Sequence, residues 1–294
     1  MLSSFRIINK YFWKSLFGPG VLFVFSVLAL FIFTSIWDLL GIVDYAQLLP
    51  NVYSSVTVIV CIFVIPTSLN NLINSLTLKR IGCSKIRKAD FLIATYIFYF
   101  SMCVLSILWM IVFGFLIFIS DNQKYISVLK CINIPEYIFA FTFNFVFASS
   151  IGMFILTFTK RNYVIAVVAL ILLISGAIMA CFYVPIPLLH QYSPYLDYRN
   201  SLGLQYFLVY PHPFWYTTAL QTNAFFGNGN NSINVYGSSI FALQEDMFSF
   251  SSSVERVALP SLLPVDKCLN LFLPLSLTIV LIIYDSLKFQ WSRR

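Results

Sequence analysis

Charge is what this chain has least of. Only 11 acids and 18 Lys or Arg are spread over 294 residues, while 60% of the side chains are apolar. A water-soluble protein keeps its charged groups outside and cannot wrap so apolar a composition. Histidine is scarcer again. His190 and His212 both lie near prolines, and neither has a carboxylate at metal-ligand spacing, so no metal site or histidine-based catalysis is expected. No Gly-rich phosphate loop ending in Gly-Lys-Ser/Thr occurs, which excludes the usual mode of ATP binding, and GxSxG and HExxH motifs are missing too. The six cysteines form no CxxC pair, and most fall where a thiol acts as a small apolar side chain. These absences predict a protein with no catalytic residues, no cofactor and no metal, and so not an enzyme.

What fills the chain instead is a set of long runs free of Asp, Glu, Lys and Arg. They are Ser15–Trp37, Tyr45–Leu78, Phe91–Ser120, Tyr137–Thr159 and Asn162–Leu196, with a shorter one at Cys268–Tyr284. Crossing about 30 Å of hydrocarbon takes roughly 20 helical residues. The runs therefore predict an all-α polytopic membrane protein, a single transmembrane domain over 1–294 with six transmembrane helices. The expected spans are 21–42, 52–76, 91–119, 136–158, 163–183 and 268–285. The basic-then-apolar start has no small-residue cleavage site, and Trp37-Asp38 follows the run, so the first span is expected to stay uncleaved.

Thirteen of the eighteen Lys and Arg fall in four windows between these runs. They are Arg6, Lys10 and Lys14; Lys79, Arg80, Lys85, Arg87 and Lys88; Lys160 and Arg161; and Lys288, Arg293 and Arg294. Short loops rich in Lys and Arg stay cytoplasmic, so both termini and two internal loops are expected inside. The remaining positions hold Lys124, Lys130, Arg199, Arg256 and Lys267 against nine acids. A net charge of +7 distributed this way points to anionic membrane lipid as the partner of the basic rim, not to nucleic acid.

Within this frame Ser3–Phe17 sets Phe5, Ile8, Phe12 and Leu16 on one helical face and Arg6, Lys10 and Lys14 on another. That pattern predicts an N-terminal amphipathic interfacial helix over 3–17, closed by Gly18-Pro19-Gly20. Span 2 turns polar after Pro66, and Thr67, Asn70 and Asn74 share a face. Such a stripe would be costly against lipid, so it either bonds a neighbouring helix or lines a passage. Between spans 5 and 6 a large outer segment, 186–266, is rich in Pro, Asn, Gly, Ser and Tyr. Leu204–Tyr210 and Phe214–Phe226 are expected there as re-entrant or interfacial pieces, because prolines and glycines break any helix long enough to cross. An ion-coupled carrier needs ionisable groups at membrane depth. The spans hold no Lys or Arg, Asp38 and Glu136 sit at span ends, and Asp285 is placed at the headgroups.

The connection between spans 2 and 3, residues 78–90, reads Leu78-Lys79-Arg80-Ile81-Gly82-Cys83-Ser84-Lys85-Ile86-Arg87-Lys88-Ala89-Asp90 before Phe91. A basic pair precedes Ile81-Gly82, small polar residues follow, and Ile86 and Phe91 resume a helical apolar pattern. In place and in residues this loop resembles the one found in the membrane permease subunit of ABC-2-type ABC transporters. Two departures are Lys85, where proline is common, and Ala94-Thr95, where a Gly-Lys-like pair is common. The entry helix is similar to the family's connecting helix. Ser175-Gly176 with Pro185, Pro187, Pro211 and Pro213 resembles its span 5–6 connection.

The resemblance implies a permease subunit of an ABC exporter in a bacterial cytoplasmic membrane, paired with a second permease subunit as a homo- or heterodimer. ATP hydrolysis would sit on a separate ABC ATPase subunit, and Lys79, Arg80, Ile81, Gly82, Cys83, Ser84, Lys85, Ile86, Arg87 and Lys88 would form the coupling loop that docks on it. Thr67, Asn70 and Asn74 would then line the pathway. Two other functions fit the same composition: a non-transporting membrane scaffold or assembly protein, and an ion-coupled secondary transporter.

Overall fold

The computed structural model describes residues 2–15, 17–40, 48–74, 88–119, 122–159, 161–180, 182–183, 211–225 and 264–288, and every regular element among them is helical. Helix α1, Leu2–Lys14, follows from the 3.6-residue recurrence of its apolar side chains. Its Ile8 and Phe12 are buried, and Phe5 and Phe12 meet the Phe98 ring edge-on at 5.4 and 5.3 Å. A Cβ on Gly18 would stand 2.6 Å from the Phe12 ring, so the corner after α1 closes over Phe12 only as glycine.

The chain then rises through a turn at Phe17–Pro19, a π-helical stretch at Gly20–Phe25 and α2, Ser26–Leu40. A π-turn shifts the backbone ladder and leaves carbonyls open. Two of them find donors: Ser106 Oγ donates to the Leu22 carbonyl at 2.6 Å, and Trp109 Nε1 donates to the Phe23 carbonyl at 3.2 Å. The second rod repeats the device, with α3 (Leu49–Ile59), a π-stretch at Val60–Val64 and α4 (Ile65–Asn74). Here Pro66 offers no N–H, and the carbonyl five residues back belongs to Cys61. Gly152 packs directly on that carbonyl, where a Cβ would come to 2.1 Å.

Helix α5 runs over Lys88–Ile117, and the short α6, Asn122–Lys130, folds back on its far end. Tyr125 donates to the Ile111 carbonyl at 3.2 Å, and its hydroxyl lies 3.2 Å from that of Tyr53. Helices α7 (Ile134–Phe158), α8 (Asn162–Met179), α9 (Pro213–Phe225) and α10 (Pro264–Lys288) complete the described chain. The α3–α4 rod and α7 form the centre of the bundle. Helix α9 packs against α7, α10 and α3.

Among the described residues five helices are long and apolar enough to cross a membrane: Leu49–Ile73, Asp90–Ile117, Ile134–Phe158, Asn162–Met179 and Leu271–Lys288. Ahead of them lies a further apolar helix, described as such over Gly20–Ile36. The outermost helices α5, α8 and α10 expose rows of Ile, Leu and Val, such as Val104, Leu108, Val112 and Leu116 on α5. Side chains of that kind gain nothing from water and suit contact with lipid. The chain is an all-α membrane protein.

Candidate functional site

Inside this apolar bundle lies a seam of polar side chains without one formal charge. It forms where α3, α7 and α9 meet. Helix α3 presents Asn51, Ser54 and Ser55, and α9 presents Thr218, Gln221 and Thr222. Both triplets follow the i, i+3, i+4 spacing that gathers residues on one helix face. Pro213 starts α9 at a position where a missing N–H costs nothing, and the turn ahead of it is fixed by the Trp215 N–H to the His212 carbonyl at 3.2 Å.

The contacts close into one network. Thr222 Oγ1 donates to Asn51 Oδ1 at 2.6 Å, and the hydroxyls of Ser54 and Thr218 lie 3.4 Å apart. From α7, Asn144 Nδ2 donates to Ser54 Oγ at 3.0 Å and to Gln221 Oε1 at 3.1 Å. Gln221 Nε2 in turn donates to Tyr137 Oη at 3.0 Å, one end of a chain of bonds across the bundle. Beside it Ser55 Oγ bonds Tyr183 Oη at 3.1 Å. All six seam residues named on α3 and α9 are buried, as is Asn144. Among the described residues Asn144 Oδ1 has no partner. In an apolar interior an unmet polar atom costs several kcal/mol, roughly, so residues brought here are held because they bond each other.

At the α6-distal end a second polar joint ties α4 to α8. Asn70 Nδ2 donates to Asn162 Oδ1, and Asn162 Nδ2 donates to Asn71 Oδ1 at 2.6 Å. Of the stripe expected to line a pathway, Asn70 is thus engaged with a neighbouring helix. Thr67 turns its hydroxyl onto the Phe63 carbonyl of its own helix at 2.6 Å, and Asn74 is the last residue of α4. Residues 78–87 of the expected coupling loop lie outside the described residues, as do Leu204–Tyr210. Lys88 is the first residue of α5. The expected piece at Phe214–Phe226 is helical from Pro213, one residue earlier, through Phe225, and Phe226 lies outside the described residues.

Two ionisable groups are buried where the sequence reading did not place them. Asp285, set at the headgroups by that reading, is only 6% exposed. Thr157 Oγ1 reaches its Oδ1 at 3.5 Å, and among the described residues Oδ2 has no partner. His212 is buried against Phe214 and Gly176, with Nε2 at 3.3 Å from the Leu172 carbonyl and 3.1 Å from Ser175 Oγ. A carbonyl only accepts, so this nitrogen carries the proton, and Nδ1 is buried with no partner among the described residues. Burial lowers the histidine's pKa below 6.5, partly opposed by the bond to Leu172.

The seam escaped the sequence reading for a physical reason. Neutral Asn, Gln, Ser and Thr leave a run charge-free and raise no topological signal. The matching i, i+3, i+4 triplets on α3 and α9 were the only sign available. Among the described residues no group of three or more His, Cys, Asp and Glu could hold a metal ion. The chain matches no family model, no curated protein and no solved structure.

Proposed function

We propose that the chain is the permease subunit of an ABC exporter, providing the passage and coupling it to a separate ATPase subunit. It would act as one of two permease subunits in a bacterial cytoplasmic membrane, with both termini cytoplasmic. The observation that carries this reading is the neutral polar seam. Helix α9 has 13 described residues, about 20 Å at 1.5 Å per residue, and Gly227 and Gly229 follow in the sequence, which makes it too short to cross. A piece that short can enter the bilayer from one side only. Withdrawing it would expose on α3 and α7 a lane of hydroxyls and amides able to guide a polar solute through hydrocarbon. Nothing in the lane can carry charge, so the energy has to come from elsewhere, and a soluble ATPase acting through the basic 78–90 connection supplies it. Counting Gly20–Leu40 as a span gives six crossings and returns both basic ends to one side.

The test replaces Ile81–Arg87 with a Gly/Ser linker in the full chain. The variant inserts normally, and it no longer stimulates ATP hydrolysis by an ATPase that co-purifies with the unaltered chain. Undiminished stimulation, or the lack of any co-purifying ATPase, overturns the proposal.

One observation favours a second reading, an ion-coupled carrier: the buried Asp285 carboxyl with its unmatched oxygen. Asp285→Asn separates the two. It abolishes gradient-driven uptake in a carrier and leaves ATPase stimulation intact in an exporter.

A further inference from the structure

Helix α1 has three distinct sides. Ser4, Ile8 and Phe12 are buried against α5. At 3.6 residues per turn Arg6, Lys10 and Lys14 stand on the opposite side, and all three are exposed. Among the described residues none of the three forms an ion pair. On the flank between these faces Phe5 and Trp13 are 37% and 53% exposed, and Trp13 stacks on Phe23 of the first apolar helix at 6.3 Å.

The level of α1 relative to the bilayer follows from α5. The helix has 30 residues, about 45 Å, against a hydrocarbon thickness of about 30 Å. Charged Lys88 and Asp90 open it, so the excess of about 15 Å, about ten residues from Lys88, stands among headgroups at this end. Phe98, the ring that α1 crosses, is ten residues on from Lys88. Helix α1 therefore lies at the hydrocarbon boundary, with its cations turned away from the bundle and its free aromatics beside them.

On its own α1 is a poor helix. It has 13 residues, no acid in its first turn to meet the helix dipole, and three like charges at successive i, i+4 steps. The structure nevertheless holds it folded. The docked face supplies part of the reason, and the unmatched cations call for anions as the rest. The row extends about 12 Å, too far for one small anion to serve all three positions. A flank of Phe and Trp needs an apolar boundary beside the charge, which an acidic protein surface does not offer.

We propose that Arg6, Lys10 and Lys14 form a binding row for the phosphates of anionic phospholipids, and that lipid bound there keeps Ile8 and Phe12 seated on α5. The row is a device for making the seating of the first apolar helix depend on lipid charge. This inference does not depend on the exporter reading.

The experiment places the full chain in nanodiscs of phosphatidylcholine or of an equal mixture with phosphatidylglycerol, and follows amide hydrogen exchange over residues 4–14. Phosphatidylglycerol slows that exchange by about tenfold or more, while exchange in α7 stays constant as the internal reference. Adding inorganic phosphate to the phosphatidylcholine discs leaves exchange fast. The combined variant Arg6→Gln, Lys10→Gln, Lys14→Gln loses the slowing, and Phe12→Ala exchanges fast in both lipids. Equal exchange of the unaltered chain in the two lipids overturns the proposal, as does slowing retained in the triple variant or reproduced by inorganic phosphate.

Discussion

Gly152 and Gly20 differ in what surrounds them, and that difference separates packing from backbone propensity. A Cβ at Gly152 would meet the Cys61 carbonyl at 2.1 Å, whereas no described residue stands within 4 Å of one at Gly20. Close approach through small residues is how helices associate in lipid, where no hydrophobic force draws them together. Gly152→Ala should push α7 off the second rod and lower stability by about 1–3 kcal/mol. Gly20→Ala should not. Thermal unfolding of both in the same detergent decides it, and equal midpoints would show that the two helices can yield. At His212 the argument turns on protonation. Burial favours the neutral ring, so the folded state binds fewer protons than the unfolded chain just below pH 6.5. Stability contributed by the neutral ring is complete above that pH and is lost as pH falls through 6.5 toward the lowered value. Melting of the unaltered chain should therefore weaken between pH 7.5 and pH 5 by more than that of His212→Gln. The same dependence in both would move the effect to another group. Residues of this kind were the least legible in the sequence. Thr67 and Asn70 stood out because they cluster after Pro66, whereas Asn144 looks like an isolated polar residue until the fold brings it to Ser54 and Gln221.

Among the helices, what could be read in advance was what periodicity encodes. Helix α1 announced itself because its apolar and basic residues recur every three or four positions, and α9 because Pro213 starts it and Gly227 follows its end. The π-stretches at Gly20–Phe25 and Val60–Val64 carry no such mark, since an i→i−5 register changes the ladder without changing the composition. Their supports, Ser106, Trp109 and Gly152, lie on other helices, far away in sequence. Helix α6 shows the same dependence on a distant contact. It is short, polar on average, and held by Tyr125, which reaches between α5 and Tyr53 over Gly114. A Cβ at Gly114 would come 2.2 Å from the Tyr125 hydroxyl. Gly114→Ala should therefore unseat α6 and speed amide exchange over residues 123–130 by about tenfold, while Tyr125→Phe, which keeps the ring and loses two hydrogen bonds, should speed it less. Exchange unchanged in Gly114→Ala would mean that α6 is anchored by the apolar contacts of Val128 and Cys131 instead.

For the whole molecule the number of crossings is decided by the first apolar helix. Over its described residues, Gly20–Leu40, it has 21 residues, about 31 Å, just enough to cross. If it crosses, six spans return both basic termini to the side that holds the 78–90 connection. If it does not, the five remaining spans leave the two ends on opposite sides, and α1 no longer shares a leaflet with the loop that the exporter reading assigns to the ATPase. Single cysteines introduced by Ser3→Cys, Ser84→Cys, Ser238→Cys and Ser292→Cys, with the six native cysteines replaced, test this directly. An impermeant maleimide applied to intact cells should label Ser238→Cys alone, and the other three should react only in inverted vesicles. Labelling of Ser3→Cys from outside, with Ser84→Cys and Ser292→Cys still inside, would reduce the count to five. It would also put the basic row of α1 on the leaflet facing away from the cytoplasm, where positive charge is not retained. The agreement of the two ends is therefore a stronger requirement than the position of either one. The seating of α1 on the start of α5 favours it, because Phe12 and Phe98 can touch only if they lie at one depth.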